Sequence, residues 1–553
     1  MIDLTGFKNL SGLNLDDEIM QAQSNDKNID VLIVGAGPAG LMMACQLALH
    51  NVSFRIIDKK DHRTNYSGAL IVQARSIEIF QQMGIAQTAI QLGTIANEIK
   101  LIFNGKKSFA IPVKDIGHGL TRFPYMLLLE QSKTEQILTD FLNNIGYSIE
   151  RETELDRFSQ DDLGVTSILK KPGRNEETFS SKYLIAADGA RSTVRKQLGI
   201  PFVGNTYPIS LFVSDCKAVG ELSSDQLCFS FSDKTTAGFF PLPGGRWRID
   251  GAISKDMENI DPLTFKDIGK HFGENTRMNV EILEPDWFSV FHVNERYAAS
   301  FQQNRCFLVG DAAHIHSPVG AQGMNTGLQD SYNLSWKLAF ILQGKANASL
   351  LSTYCSERLV VAKNVISGTD LAFTFVTSRN YFAKLFRVHI VPNILQLMLP
   401  LLLKRQTVLH LFFKRISEIG IHYRKSSLTK HSSMGIFPAN APKPGERLPY
   451  FLYGEDEKMD NIQDKVNSTN FHLFIFSKHS SHDAIKKIAE KYAHLLSFEI
   501  IQYTSGTEYL FNRFGIVDSG CYLVRPDLYI AYRSSNPEAD HFGTYLQQFF
   551  TGQ

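Results

Sequence analysis

Paired cysteines are missing from this 553-residue sequence. The six it has, Cys45, Cys216, Cys228, Cys306, Cys355 and Cys521, are scattered without a CxxC pair. That argues against a disulfide framework and a thiolate metal centre, and reads as free thiols in a reducing compartment. A charge excess is missing too: 57 Lys and Arg face 56 Asp and Glu, for a net charge of +1. Without a wide basic field there is no electrostatic basis for a nucleic-acid partner. No repeat or low-complexity tract stands out. The N-terminal segment lacks the basic stretch, apolar run and small-residue site of a signal peptide, so a cytoplasmic location is expected. The richest apolar stretch, VPNILQLMLPLLLK from Val391 to Lys404, is interrupted by Pro392, Asn393, Gln396 and Pro400. It is short for a simple spanning helix and reads as a buried or dimer-facing helix pair, without stable membrane insertion. His314 and His316 lack the Cys or carboxylate neighbours of a metal site, so no metal is expected.

What the chain does have is three glycine-bearing segments far apart in sequence. They are IDVLIVGAGPAGLMMACQLALHNVSFRIIDKK near the start, YLIAADGARSTVR in the middle, and RCFLVGDAAHIHSPVGAQGMNTGLQDSYNLSWKL past residue 300. In the first, Gly35, Gly37 and Gly40 form GxGxxG between a β-branched strand and a helix from Ala39 to His50, with Pro38 in the turn before it. The first glycine permits a tight turn, the second clears space for a pyrophosphate, and the third allows close packing. Free N–H groups and the positive end of the helix dipole receive the diphosphate. Asp58, followed by Lys59, closes the next strand, where a carboxylate can accept hydrogen bonds from a ribose diol. A dinucleotide site explains the first segment alone. An FAD held at its adenosine, pyrophosphate, ribityl and ring ends explains all three.

The second segment ends a strand at Asp188-Gly189, and taken alone it also reads as a capped helix with surface arginines. The third ends a strand at Asp311, well placed for ribityl hydroxyls. Gly320 to Gly327, including Gly323, Met324 and Asn325, brings backbone N–H groups toward the electron-accepting edge of a flavin. From about Leu198 to Phe291 the pattern changes to short strands and turns, with Gly244-Gly245 at a hairpin. A helical stretch follows to about Lys425. The Pro- and Gly-rich linker FPANAPKPGERLP then leads into a small α/β unit with a late hairpin around Pro526-Asp527.

With these motifs, roughly residues 29 to 425 resemble the class A flavoprotein aromatic hydroxylases, the phenol hydroxylase and para-hydroxybenzoate hydroxylase superfamily. The tail, with PGERLP and LVRPDLYIAYR, is similar to the thioredoxin-like C-terminal domain of the phenol hydroxylase branch, without a CxxC pair. The implied fold is α/β: an FAD-binding Rossmann-like domain of the glutathione reductase type, an inserted mixed or antiparallel substrate sheet, and the thioredoxin-like domain. The expected boundaries are a polar leader at 1–28 and FAD-binding segments at 29–197 and 300–360. The substrate sheet covers 198–299, a helical, dimer-forming region 361–436, and the C-terminal domain 450–553. By resemblance, Arg75 of ARSIEIF lies near the FAD pyrophosphate and ribityl chain, and Gln131 of LLLEQSKTEQIL contacts the cofactor. Read without the resemblance, Arg75 could equally be a solvated helix residue, and Gln131 favours a surface or capping role. Pro318-Val319-Gly320 matches the family loop beside the flavin ring.

The resemblance implies a monooxygenase using FAD, NADPH or NADH, and O2 to hydroxylate a small aromatic molecule through a flavin C4a-hydroperoxide. The phenol hydroxylase branch activates its substrate with an aspartate and a tyrosine. Those positions align with Leu70 and Phe291 here, so both polar groups are missing. That favours, as the alternative, a polycyclic, polyketide-like or antibiotic substrate. His292 points opposite to Phe291 along a strand and is a candidate for substrate handling or for packing. Phe239, Phe240 and Pro241 are candidate pocket wall. No GWxWxIP segment supports a halogenase. A homodimer is expected from the resemblance and the apolar helices near 390 to 415.

Overall fold

The computed structural model describes residues 29–63, 68–257, 260–431, 437–455, 458–478, 483–535 and 539–552. The expected leader at 1–28 lies outside them. Strand β1 (Val31–Val34) is buried along its whole length between β2 (Phe54–Ile57) and β3 (Tyr183–Ala186), and all three run parallel. Cys306–Leu308 extends the sheet in parallel beyond β3. A parallel sheet covered on both faces needs uniformly apolar strands, and VLIV and YLIA supply them. Helix α1 (Pro38–Leu49) follows β1 through the first glycine turn, as the spacing predicts.

The second sheet has eight strands. At its centre are β4 (Phe202–Gly220), β5 (Thr236–Leu242), β6 (Arg246–Ala252) and β7 (Val280–Ala298). The β5–β6 hairpin turns at Gly244 and Gly245, both with positive φ, which favours glycine at both positions. The sheet is wider than the 198–299 expected from sequence. Glu98–Phe103 pairs in parallel with Gln226–Phe231, Lys107–Pro112 follows it, and His314–Ile315 closes the opposite edge.

Helix α2 (Gly323–Leu342) packs under the first sheet and against α1. There Gly310 and Gly327 approach so closely that a Cβ on Gly327 would lie 3.1 Å from the Gly310 Cα. Next come α3 (Ser349–Thr377), α4 (Tyr381–Leu403) and α5 (Gln406–Ile416). The apolar run that the sequence suggests is broken by prolines is instead one continuous helix. Pro392 opens its Val391–Leu403 section directly after the π turn Phe386–Ile390, and Pro400 lies inside that section, so neither residue donates a backbone N–H to the helix. Pro392 is also the only buried residue of that section, so it is not a core helix.

The C-terminal unit has its own apolar core. Phe471–Ser477 pairs in parallel with Leu496–Gln502 across the helix Asp483–Lys491. Ser519–Val524 and Ile530–Ser534 add an antiparallel hairpin on the other side, and Ala539–Phe549 closes the unit.

Candidate active site

A cleft of about 670 Å³ opens at the carboxyl ends of β1, β2, β3 and Cys306–Leu308, where open α/β sheets bind ligands. Gly35 has φ +103°, and a Cβ there would meet the Ala187 carbonyl oxygen at 2.3 Å. A Cβ on Gly40 would lie 1.9 Å from the Gly35 oxygen. By contrast, no atom lies within 4 Å of a Cβ built on Gly37, which faces the cleft. No side chain caps α1, so its first N–H groups stay available beside Pro38 and Ala39. An anion there gains about 0.3–1 kcal/mol from the helix dipole alone. Asp58 Oδ2 accepts from the Ala36 N–H at 2.7 Å and Oδ1 from the Lys60 N–H at 2.9 Å, fixing the carboxylate at the rim beside Lys59.

Along the cleft, Asp188 follows β3. Its Oδ2 accepts from the N–H groups of Thr193 at 2.7 Å and Val194 at 3.2 Å, while Oδ1 is buried without a partner. Burial raises the Asp188 carboxyl despite those bonds. Gly189 and Gln131 also line the cleft. Burial raises the Asp311 carboxyl as well, against a smaller lowering from His314. His316 contacts the carbonyl oxygen of Ser317 through Nδ1 at 2.9 Å. A carbonyl only accepts, so Nδ1 carries the proton. Burial pushes this imidazole down to about 4, leaving it neutral near pH 7 with Nε2 an unpartnered acceptor. Behind the cleft, Asp330 takes His314 Nε2 at 2.7 Å, Arg358 Nε at 2.7 Å and the Gly310 N–H at 3.1 Å.

A second cavity, of about 1040 Å³, adjoins the first. Phe240, Asp250, Pro318, Ala321 and Gln322 border both. Its other walls are mostly apolar and come from the second sheet, α3 and α5. Gly320 lines this second cavity with φ +89°, and its carbonyl accepts from Gln73 Nε2 at 3.3 Å. Asp250 Oδ1 accepts from the Gly238 N–H at 3.1 Å, and burial pushes its carboxyl up to about 6.

The FAD binding domain family matches residues 28–369 of this chain. The chain belongs to that family. The 6-methylpretetramide 4-monooxygenase of Streptomyces rimosus is 35% identical over 402 residues, 72% of this chain and 71% of that one. The pentachlorophenol 4-monooxygenase of Sphingobium chlorophenolicum is 32% identical over 361 residues, 63% of this chain and 65% of that protein. Among solved structures, BexE superposes with a TM-score of 0.72 at 26% identity, covering 95% of this chain and 99% of that one. The flavin-dependent monooxygenase PieE, solved with FAD and substrate, superposes with a TM-score of 0.78 at 21% identity, over 95% and 99% of the two chains. This chain is therefore an FAD-dependent monooxygenase of the class A type.

In this FAD binding domain protein several expected site residues stand elsewhere. Arg75 does not line the cleft. Its guanidinium is buried against the rings of Tyr332 and Tyr529 and donates to the Asp527 carbonyl at 2.7 Å and to Glu78 at 3.2 Å. Asn325 is also behind the cleft. Its side chain joins the N–H of Gln73 and the carbonyls of Ile71 and Ala321, tying the 318–321 loop to the start of the helix Ala74–Gln82. Phe239 points away from both cavities into a core with Phe272, 5.6 Å between ring centroids, because β5 alternates and Phe240 takes the cavity side. Pro241 shares the Phe239 side and borders neither cavity. His292 is exposed beside Ser210, 3.2 Å from its hydroxyl, and also borders neither. Gly40 acts through packing alone. Leu70, Phe291, Gly323 and Met324 line the cleft.

Sequence reading overlooked Arg248 and Asp250. Arg248 clamps Asp215 with two bonds of 2.7 Å and lines the cleft. The signal was present: in RWRID the two charged residues alternate with Trp247 and Ile249, so they share one face of a buried strand.

Proposed function

We propose that this monooxygenase hydroxylates a polycyclic, polyketide-like aromatic, using NADH or NADPH and O2. One observation carries the reading: the apolar cavity of about 1040 Å³ that meets the cofactor cleft at Phe240, Asp250 and Pro318. A single phenol ring would leave most of that volume unfilled. The apolar Leu70 and Phe291 on the cleft wall support it further, since neither holds a phenolate. Relatives named for 6-methylpretetramide and anhydrotetracycline point the same way.

The cleft suits FAD along its length. The open space at Gly37 and the bare start of α1 would take the diphosphate, and Asp58 the adenosine ribose. The unpartnered Asp188 Oδ1 and the carboxyl of Asp311 would meet hydroxyls of the ribityl chain, with Pro318 to Met324 beside the ring. When bound, FAD supplies hydride acceptance and oxygen activation. The overall balance is Ar–H, O2, NAD(P)H and a proton giving Ar–OH, water and NAD(P)+. Asp250 would accept a proton from a substrate hydroxyl at its carboxylate, since a group near 6 is half ionised just below neutral pH. We also infer that the C-terminal unit is thioredoxin-like, on its order of a parallel pair joined by a helix, an antiparallel hairpin and a last helix. Its one cysteine, Cys521, is buried and unpaired, which fits a structural role.

The test is coupled turnover. NAD(P)H oxidation, peroxide release and product mass are measured across simple phenols and polycyclic aromatics. Product from polycyclic compounds, with phenols giving only peroxide, is expected. Efficient hydroxylation of simple phenols alone would overturn the substrate assignment.

A further inference from the structure

Helix α4 carries an apolar stripe that faces away from the protein. Phe386, Ile390, Ile394, Leu397 and Leu401 recur at steps of four, four, three and four, which places them on one side of a helix. They are 43%, 43%, 47%, 75% and 57% exposed. The opposite side is the protein side: Arg387, Val388 and Pro392 are buried, and Lys107 from the edge of the second sheet donates to Asn393 Oδ1 at 2.6 Å. Of the 26 large apolar side chains exposed among the described residues, 13 fall between Phe375 and Phe412. An exposed apolar concentration of this kind marks an interaction surface.

Charge selects the partner. From Leu371 to Ser417 the chain has no Asp or Glu but seven Lys and Arg, although the whole sequence is balanced at 57 to 56. Lys404 and Arg405 sit exposed at the turn between α4 and α5, with Lys414 and Arg415 exposed at the end of α5. A second copy docking through this face would set cations against cations across a two-fold axis. An anionic lipid surface matches both the stripe and the charge. Tyr381–Leu403 is long enough to cross a bilayer, but one side of it is packed on the protein, so it lies in the interface plane.

We propose that this protein docks on anionic lipid bilayers through α4 and α5. The same face borders the larger cavity, because Leu411, Phe412 and Lys414 of α5 and Val376 of α3 form part of its wall. An apolar ring system dissolved in the membrane would then enter directly, a corollary that rests on the substrate reading above.

The test is sedimentation of the full-length, FAD-loaded protein with phosphatidylcholine–phosphatidylglycerol vesicles and with phosphatidylcholine alone, at low and high salt. Binding to the anionic vesicles that weakens with salt is expected. The double variant Leu397→Glu, Leu401→Glu should lose it, and Lys404→Glu, Arg405→Glu should reduce it about tenfold. Both variants should keep their FAD absorbance, which reports an intact fold. No binding of the wild type to anionic vesicles would overturn the proposal. So would a wild-type dimer in vesicle-free solution that the Leu397, Leu401 variant dissociates, because a second copy would then cover the face. No substrate enters this assay, so its failure is separate from failure of the substrate panel.

Discussion

Arg525 donates to both carboxylate oxygens of Glu357, Nη1 to Oε1 at 2.7 Å and Nη2 to Oε2 at 3.0 Å, with both side chains essentially buried. The pair joins the C-terminal unit to α3. Lys337 of α2 adds a third bond at 2.8 Å, and Asp527 holds Arg525 from the other side. The next residue, Arg358, binds Asp330, which in turn holds the Gly310 N–H and His314 behind the cleft. Consecutive residues of α3 thus link the C-terminal unit to the carboxylate that holds the strand end behind the cleft.

Glu357→Gln should therefore destabilise the whole protein. Removing one partner leaves buried cations short of countercharge, at a cost of about 3–5 kcal/mol. Burial raises the Glu357 carboxyl, but Arg525 and Lys337 outweigh it and hold the group below the ordinary carboxylate range. A depressed carboxyl stabilises the fold above its unfolded pKa and loses that contribution as pH falls toward the folded value. Denaturant midpoints should differ between wild type and variant near pH 7 and converge in acid. Equal midpoints near pH 7 would remove the link.

Gly40→Ala should lose FAD. The new Cβ would stand 1.9 Å from the Gly35 backbone oxygen, which has no flexible side chain to move aside, so the turn must open. Gly37→Ala meets nothing within 4 Å in the protein itself and should fold normally while weakening the cofactor through contact with the diphosphate. Flavin absorbance of the purified variants and their thermal melts separate the two effects. Full flavin occupancy in Gly40→Ala would contradict the packing argument.

The parts legible in sequence were the local ones. Gly35, Gly37 and Asp58 lie within one βαβ unit, so the order strand, turn, helix, strand was enough to position them. Arg75 was not legible because its partners are the Asp527 carbonyl, 452 residues away, and the Tyr529 ring. Phe239 and Phe240 are both candidate wall in the sequence, and only Phe240 lines the cavity. Alternation requires that one face the cavity, but which one depends on the side of the sheet that meets the cleft. The sequence leaves α4 either buried or dimer-facing, because an apolar helix carries no mark of which surroundings will cover it.

Val365→Trp should shrink the larger cavity. Val365 lines it from α3, opposite the second sheet. Overfilling a packed wall costs about 1–3 kcal/mol, so the fold should survive while a multi-ring substrate is displaced. Coupled turnover of polycyclic compounds should fall at least about tenfold. Background NAD(P)H oxidation without substrate should hold. Unchanged polycyclic turnover would mean that the substrate lies elsewhere.

Asp250→Asn tests the junction of the two cavities. The burial that pushes this carboxyl up to about 6 makes the group ionise across the range where the enzyme would work. If Asp250 takes a substrate proton, kcat/KM of the wild type should rise with pH through about 6, and the variant should lose that limb. Stability should move in the opposite sense. A carboxyl whose folded value is raised contributes below its unfolded pKa, and that contribution is lost as pH rises through about 6. The neutral amide avoids the loss, so Asp250→Asn should gain thermal stability over wild type at pH 8, gain less at pH 5, and gain little or nothing below the unfolded pKa of about 3.9. A stability gain with an unchanged rate profile would assign Asp250 to the wall of the cavity and the proton to another acceptor.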